Sequence, residues 1–163
     1  MALFSKNWLS DQVVNSSFDK LCRCSDVAFF DSFFLPTAMK HGIDTMQLIP
    51  DVSSKRLLFF PVYTPGHWSL VVVKPQKKKI AYLDPMGNTN TPSFKMIQDY
   101  MIRHELKLTR DTALEKKVPQ QEEAGDCGVF VIMYCKCLVE RQPTNIIKGK
   151  KKLREEIVLL LLK

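Results

Sequence analysis

The chain has 163 residues, 45% apolar and 25% charged, with 24 Lys and Arg against 17 Asp and Glu for a formal net charge of +7. Length and apolar content fit one globular domain over 1–163 that builds its core without staples, and they exclude collagen-like, coiled-coil and disordered chains. Five cysteines, an odd number, argue against a disulfide framework and for a reducing, intracellular compartment. Residues 1–7 lack a basic stretch leading into an apolar one, so no secretory leader is expected. The longest apolar run, 157–162, is too short for a bilayer, so no membrane partner is expected.

In chain order, Trp8-Leu9, Val13-Val14, Phe18 and Leu21 recur at helical spacing and predict an amphipathic helix over about 7–22. The Phe-rich stretch 27–35 reads as a short buried strand or a packed loop. Residues 57–63 read as a buried strand. Residues 68–73 and 80–83 form a hairpin about a turn at Pro75-Gln76-Lys77-Lys78. Asp84-Pro85-Met86-Gly87-Asn88 is turn chemistry, and Thr91-Pro92 predicts an N-cap opening a helix whose inner face carries Phe94, Ile97, Met101 and Leu106. A short edge strand is expected at 114–118. Asp126 is the expected N-cap of a strongly apolar helix over 127–140, broken by Gln142-Pro143, and a last helix covers 151–162. The sum is an α+β domain with a small, mostly antiparallel sheet flanked by helices.

Charge is uneven: residues 52–83 carry six bases and no acid, and 128–163 carry eight bases and three acids. Lys77-Lys78-Lys79 and the stretch 148–154 lack the interleaved aromatics of a nucleic-acid surface, so no nucleic-acid partner is expected. The bases around the His67 strand suggest steering of an acidic face on a macromolecular partner.

Three residues form a possible catalytic set. Cys127 falls at a helix start between Asp126 and Gly128, where helix N–H groups lower a thiol pKa and glycine lets a substrate backbone approach. His67 opens one hairpin strand and Asp84 closes the other, which brings an imidazole beside a carboxylate, as a nucleophile–base–orienter set needs. Each residue alone has an ordinary reading as a packing cysteine, a structural histidine or a turn aspartate. His41 looks like a turn residue and His104 a solvated one. Cys22/Cys24 and Cys135/Cys137 are spaced C-x-C in helix-like segments, where i and i+2 diverge, so no metal is expected.

Gly66-His67-Trp68-Ser69-Leu70, Tyr82-Leu83-Asp84-Pro85-Met86-Gly87 and Pro119-Gln120-Gln121 through Asp126-Cys127-Gly128 resemble the sentrin/SUMO-specific protease family (Ulp/SENP, clan CE cysteine proteases). Trp8-Leu9-Ser10-Asp11-Gln12-Val13-Val14-Asn15 resembles the family's opening W-L-x-D-x-x-I-N, and the order is collinear over nearly the whole chain. The resemblance implies a papain-like/adenain-like cysteine protease fold with the catalytic Cys at a helix N-terminus. It implies His67 as general base and acid, Asp84 as its orienting partner, Cys127 as nucleophile and Gln121 as oxyanion donor, with Gln120 the adjacent alternative. Trp8 and Trp68 match the tryptophans that close over a substrate's Gly-Gly, and Asp11, Asp126 and Gly128 fall on the substrate side.

The implied activity is that of an isopeptidase or processing protease acting after the C-terminal Gly-Gly of a ubiquitin-like modifier. SUMO is the first choice, ubiquitin or the neddylation modifier the second. The enzyme would work as a monomer in nucleus or cytoplasm, with neither metal nor organic cofactor. The stretches 25–58 and 84–127 are shorter than in typical members, which leaves modifier identity open, and Pro85 resembles the Y-L-x-x-P-F-G segment of adenovirus-type proteases. The alternatives are a clan CE acetyltransferase or effector-type enzyme, and a catalytically silent modifier-binding module.

Overall fold

In a computed structural model that describes residues 9–121 and 125–163, the described residues form five strands and six α-helices. The sheet has the order β1(Val27–Phe29), β2(Leu57–Thr64), β3(His67–Lys74), β4(Lys79–Leu83), β5(Thr109–Arg110). Its centre, β2-β3-β4, is antiparallel, and both edge strands pair in parallel. The sheet is therefore mixed with an antiparallel middle.

Side chains alternate across a strand. Leu57, Phe59, Trp68, Leu70, Val72, Ala81 and Leu83 enter one core, and Leu58, Phe60, Val62, Val71, Val73, Ile80 and Tyr82 enter the other. Burial on both faces explains why β2 and β3 read as continuous apolar runs instead of alternating ones. On the first face lie α1(Asp11–Leu21), α5(Cys127–Glu140) and α6(Lys150–Leu162); α2(Phe34–His41) and α3(Thr91–Arg103) lie against the second. Helix α5 buries residues on every side, from Cys127 to Tyr134, Cys135 and Cys137, and so sits centrally. No helix among the described residues is long and apolar enough to cross a membrane.

Several elements differ from the sequence reading. Helix α1 begins at Asp11, with Ser10 as its N-cap; residues 7 and 8 of the expected helix lie outside the described residues. The Phe-rich stretch divides into β1 and, past Phe33, helix α2. Phe30 stacks on Phe60 at 4.3 Å and Phe34 meets Tyr100 at 4.9 Å, so the aromatics that looked like strand are a cluster bridging both elements. Asn90, one residue before the expected cap, accepts from Ser93 N. Residues 114–118 are not a strand. Asp111 caps the short helix α4(Thr112–Lys117), and Glu115 Oε2 accepts the Tyr82 N–H at 2.8 Å, so a helix side chain stands where a strand partner was expected. Good helix formers, Ala113 through Lys117, outweighed the apolar ends of that segment.

The bases of 52–83 also fall elsewhere than expected. Lys55 and Arg56 precede β2, and Lys74, Lys77, Lys78 and Lys79 cluster at the β3–β4 turn. Lys74 is seven residues along β3 from His67, roughly 23 Å away at strand rise. Arg56 bonds Asp26 and donates to the Leu138 and Val139 carbonyls, capping the far end of α5. The positive pole therefore marks the end of the sheet remote from His67.

Candidate active site

At the opposite end, the antiparallel hairpin does what its length requires. With Leu70 opposite Leu83, the start of β3 lies beside the residue that follows β4. His67 Nε2 stands 2.8 and 2.9 Å from the two Asp84 carboxylate oxygens. Asp84 accepts the Met86 N–H at 2.7 Å in the turn that Pro85 and Gly87 complete, so the backbone fixes the carboxylate. The Tyr82 hydroxyl hydrogen-bonds Ser69 Oγ at 2.8 Å and Asp84 Oδ2 at 3.3 Å. Burial pushes the Tyr82 phenol up to about 12, so it stays a neutral donor.

Because Nε2 is committed to Asp84, the remaining ring nitrogen of His67 is Nδ1. It is buried and has no hydrogen-bond partner among the described residues. The next residue supplies the link to the thiol: Trp68 N–H donates to Cys127 Sγ at 3.2 Å. Cys127 opens α5 and is fully buried. The N–H groups of Trp68, Gly128 and Cys127 favour its thiolate, but burial dominates and holds the thiol above its ordinary pKa. The sequence-based expectation of a net lowering by the helix N-terminus is corrected by that balance: desolvation of a fully buried sulfur exceeds the stabilisation three N–H groups give.

Asp126 occupies the N-cap position, yet its side chain makes no cap bond. Its carboxylate instead meets Arg154 Nη2 at 3.1 Å, and the same nitrogen donates to Gly125 O at 3.3 Å. Arg154, from the basic stretch 148–154, is buried with Leu153 and Ile157 where α6 packs. It braces the turn before Cys127 from beneath.

Gly128 is tight as well. A Cβ there would lie 3.1 Å from Leu9 Cβ and 3.2 Å from both Leu9 Cδ1 and Trp68 Cδ1. The absent side chain makes room for those two residues. Trp68 is completely buried, and its Nε1 donates to the Leu9 carbonyl at 3.0 Å. Asp11 sits in the first turn of α1, half-buried. Trp8 lies outside the described residues.

Gln121 N donates to Pro85 O at 2.8 Å, one residue after Asp84, while Tyr134 of α5 bonds the Pro119 carbonyl. Those two ties bring Gln121 to the His67–Asp84 end. Gln120 points elsewhere: it is exposed, and its Nε2 would be 2.7 Å from a Cβ on Gly87. The backbone ties thus place Gln121, and not the side chain of exposed Gln120, at the His67–Asp84 end. Among the described residues no three His, Cys, Asp or Glu side chains converge as metal ligands. His104 bonds Ile49 N–H and is structural rather than solvated.

Sequence reasoning missed Tyr82 and Ser69. Tyr82 shares a strand face with Asp84, and in the register of Leu70 with Leu83, Ser69 is the next residue toward Asp84. A polar pair in an otherwise apolar hairpin, two residues from His67 and Asp84, was the available signal.

The family model for the Ulp1 protease family, C-terminal catalytic domain, matches residues 7–158. The chain belongs to that family. Human Sentrin-specific protease 5 is 34% identical over 153 residues, covering 86% of this chain and 20% of that protein. Mouse Sentrin-specific protease 3 is 32% identical over 168 residues, covering 95% of this chain and 30% of that protein. The chain thus spans less than a third of the length of either relative. Among solved structures, the C-terminal Ulp1 protease domain in complex with Smt3, the yeast ortholog of SUMO, superposes with TM-score 0.78 at 22% identity, over 99% of this chain and 79% of that one. The Chaetomium thermophilum Ulp1-like SUMO protease catalytic domain gives 0.74 at 18% identity, over 94% and 70%. At those identities the likeness establishes the fold: an α+β Ulp1-like domain.

Proposed function

We propose that this domain is a cysteine protease cleaving after the C-terminal Gly-Gly of SUMO, in precursor form or conjugated to a target. The observation that carries the reading is the commitment of His67 Nε2 to both Asp84 oxygens while buried Nδ1 sits next to the residue whose N–H touches Cys127 Sγ. A binding module has no use for an imidazole that a carboxylate orients one residue from the N–H that touches a thiol. The relatives, sentrin-specific proteases and Ulp1 with Smt3, support SUMO as the modifier.

The chemistry follows from the positions. His67 Nδ1 takes the Cys127 proton as sulfur attacks the glycine carbonyl, and the imidazolium is stabilised by Asp84. A buried thiol that rests neutral makes this proton transfer part of the attack instead of a step completed beforehand. The oxyanion receives the Cys127 N–H and the Gln121 side-chain amide, neutral donors in a water-poor site. His67 returns the proton to the leaving amine, leaving a thioester that water hydrolyses with His67 again as base. Asp11 and Trp8 would line the approach of the modifier tail, Gly128 and Trp68 would set the wall beneath it, and Asp126, turned inward to Arg154, would act through the turn before Cys127.

Incubation with C-terminal fluorogenic amides of SUMO, ubiquitin and the neddylation modifier tests the proposal. Turnover of the SUMO substrate well above the others is expected. Turnover of none of the three would overturn it.

A further inference from the structure

Two thiols outside this chemistry meet across the first core. Cys22 is the C-cap of α1 and half-buried; Cys135 lies on the inner side of α5 and is fully buried. They are 113 residues apart in sequence, and their Sγ atoms are 3.9 Å apart, in van der Waals contact. Neither C-x-C motif supplies a metal cluster among the described residues, so the motifs resolve into one cross-helix pair with Cys24 exposed and Cys137 buried beside it.

We propose that Cys22 and Cys135 form a peroxide-responsive dithiol that closes a reversible disulfide between α1 and α5. Bond formation needs the sulfurs about 2 Å closer, a displacement within reach of side-chain rotation at Cys22. That residue stands past the last turn of its helix, at φ −99° and ψ 33°, and is not wedged between flanking turns. Partial exposure opens Cys22 to a small oxidant, whereas burial shields Cys135 and holds its thiol well above its ordinary value.

The order of events follows. The Cys22 sulfur attacks one peroxide oxygen, the O–O bond breaks, and water leaves, giving a sulfenic acid. The Cys135 sulfur then attacks the Cys22 sulfur; an S–S bond forms, the S–O bond breaks, and the departing hydroxide leaves as water with the Cys135 proton. Two thiols and one peroxide yield one disulfide and two waters, and a dithiol reductant reverses the change.

The pair is placed to matter for the fold around the nucleophile. Cys135 lies eight residues along α5 from Cys127, about 12 Å at helical rise, so the bond would not occupy the catalytic sulfur. Helix α1 leads back to Leu9, which holds Trp68 and packs on Gly128. A staple between α1 and α5 would fix that wall.

The 163-residue chain carrying Cys127→Ser, in which the nucleophile cannot consume oxidant, is treated with hydrogen peroxide, alkylated and digested without reductant. A Cys22–Cys135 linked peptide is expected by mass spectrometry, together with a melting temperature raised by several degrees, both reversed by dithiothreitol. Cys22→Ser and Cys135→Ala should each abolish link and shift, and Cys24→Ser neither. Recovery of Cys22 as sulfinic acid with Cys135 still a thiol would overturn the proposal. So would Cys22 joined to Cys24 or to a second chain, or both thiols unreacted.

Discussion

Substituting Gly128 by Ala probes how Cys127 is held. The added methyl would meet three heavy atoms at 3.1–3.2 Å, against the 3.4–4 Å of ordinary contact, with Leu9 and Trp68 on the receiving side. Trp68 cannot yield freely, since its ring is fully buried, tied to the Leu9 carbonyl and 4.9 Å from the Tyr63 ring. Overpacking of this kind costs about 1–3 kcal/mol. Replacing glycine by alanine in a helix returns at most about 1 kcal/mol in propensity, and less in the first turn. Sterics win, with a net loss of about 1–2 kcal/mol. At about 2–4 °C per kcal/mol for a chain of this size, the melting temperature should fall by about 2–8 °C while the protein stays folded. Because the strain falls one residue from Cys127, alkylation of that thiol should change with it. Calorimetry paired with iodoacetamide labelling measures both effects. In a Leu9→Ala background, which lacks one of the three close atoms, the same glycine substitution should cost less than it does in the unsubstituted chain. An unchanged melting temperature together with an unchanged labelling rate would refute the packing argument.

Four further outcomes are expected. Tyr82→Phe removes the hydroxyl 3.3 Å from Asp84 Oδ2, a bond to a charged group, and should lower kcat about tenfold with KM nearly constant; a change confined to KM would show that Tyr82 does not act through Asp84. Asp84→Asn should lower turnover by about 10²–10⁴-fold and leave modifier binding intact, as read by calorimetric titration; equal activity would refute its orienting role. Since burial raises the Cys127 thiol, the thiolate fraction grows only as pH climbs through that raised value. The pH midpoint of Cys127 alkylation in the free protein should then lie above that of an unfolded cysteine peptide, and a midpoint below it would reverse the ranking of desolvation over helix N–H groups. Lys77→Glu lies on the pole roughly 23 Å from His67, so stopped-flow association of the modifier should change less than twofold at 0.15 M salt; a large slowing would restore the steering role first read from the sequence.

Much of the fold was legible because its centre is built from patterns that one strand or one helix can carry. The hairpin of β3 and β4, the long apolar run of α5 and the turn after Asp84 each announce themselves locally. The positions of His67, Asp84 and Cys127 were legible for the same reason, since each stands at an element end. Residues 114–118 misled because burial of Leu114 and Val118 gave a strand-like outline, while the decisive interaction, Glu115 with the Tyr82 N–H, joins positions 33 residues apart. Arg154 was illegible as a brace for similar reasons: its partner Asp126 is 28 residues away, and a run of Lys around it looks solvated. The charge pole was misplaced because sequence proximity to His67 is not spatial proximity when an eight-residue strand intervenes. Nothing local in the sequence shows that Cys22 and Cys135 touch.

The most direct test of the central claim is covalent capture at Cys127. The protein is mixed with SUMO carrying a C-terminal electrophile in place of the scissile amide, alongside ubiquitin and neddylation-modifier counterparts, and compared with Cys127→Ala. One adduct is expected, with the SUMO probe, mapping to Cys127 and absent from the variant. An adduct that persists in Cys127→Ala, or no adduct with any probe, would contradict it.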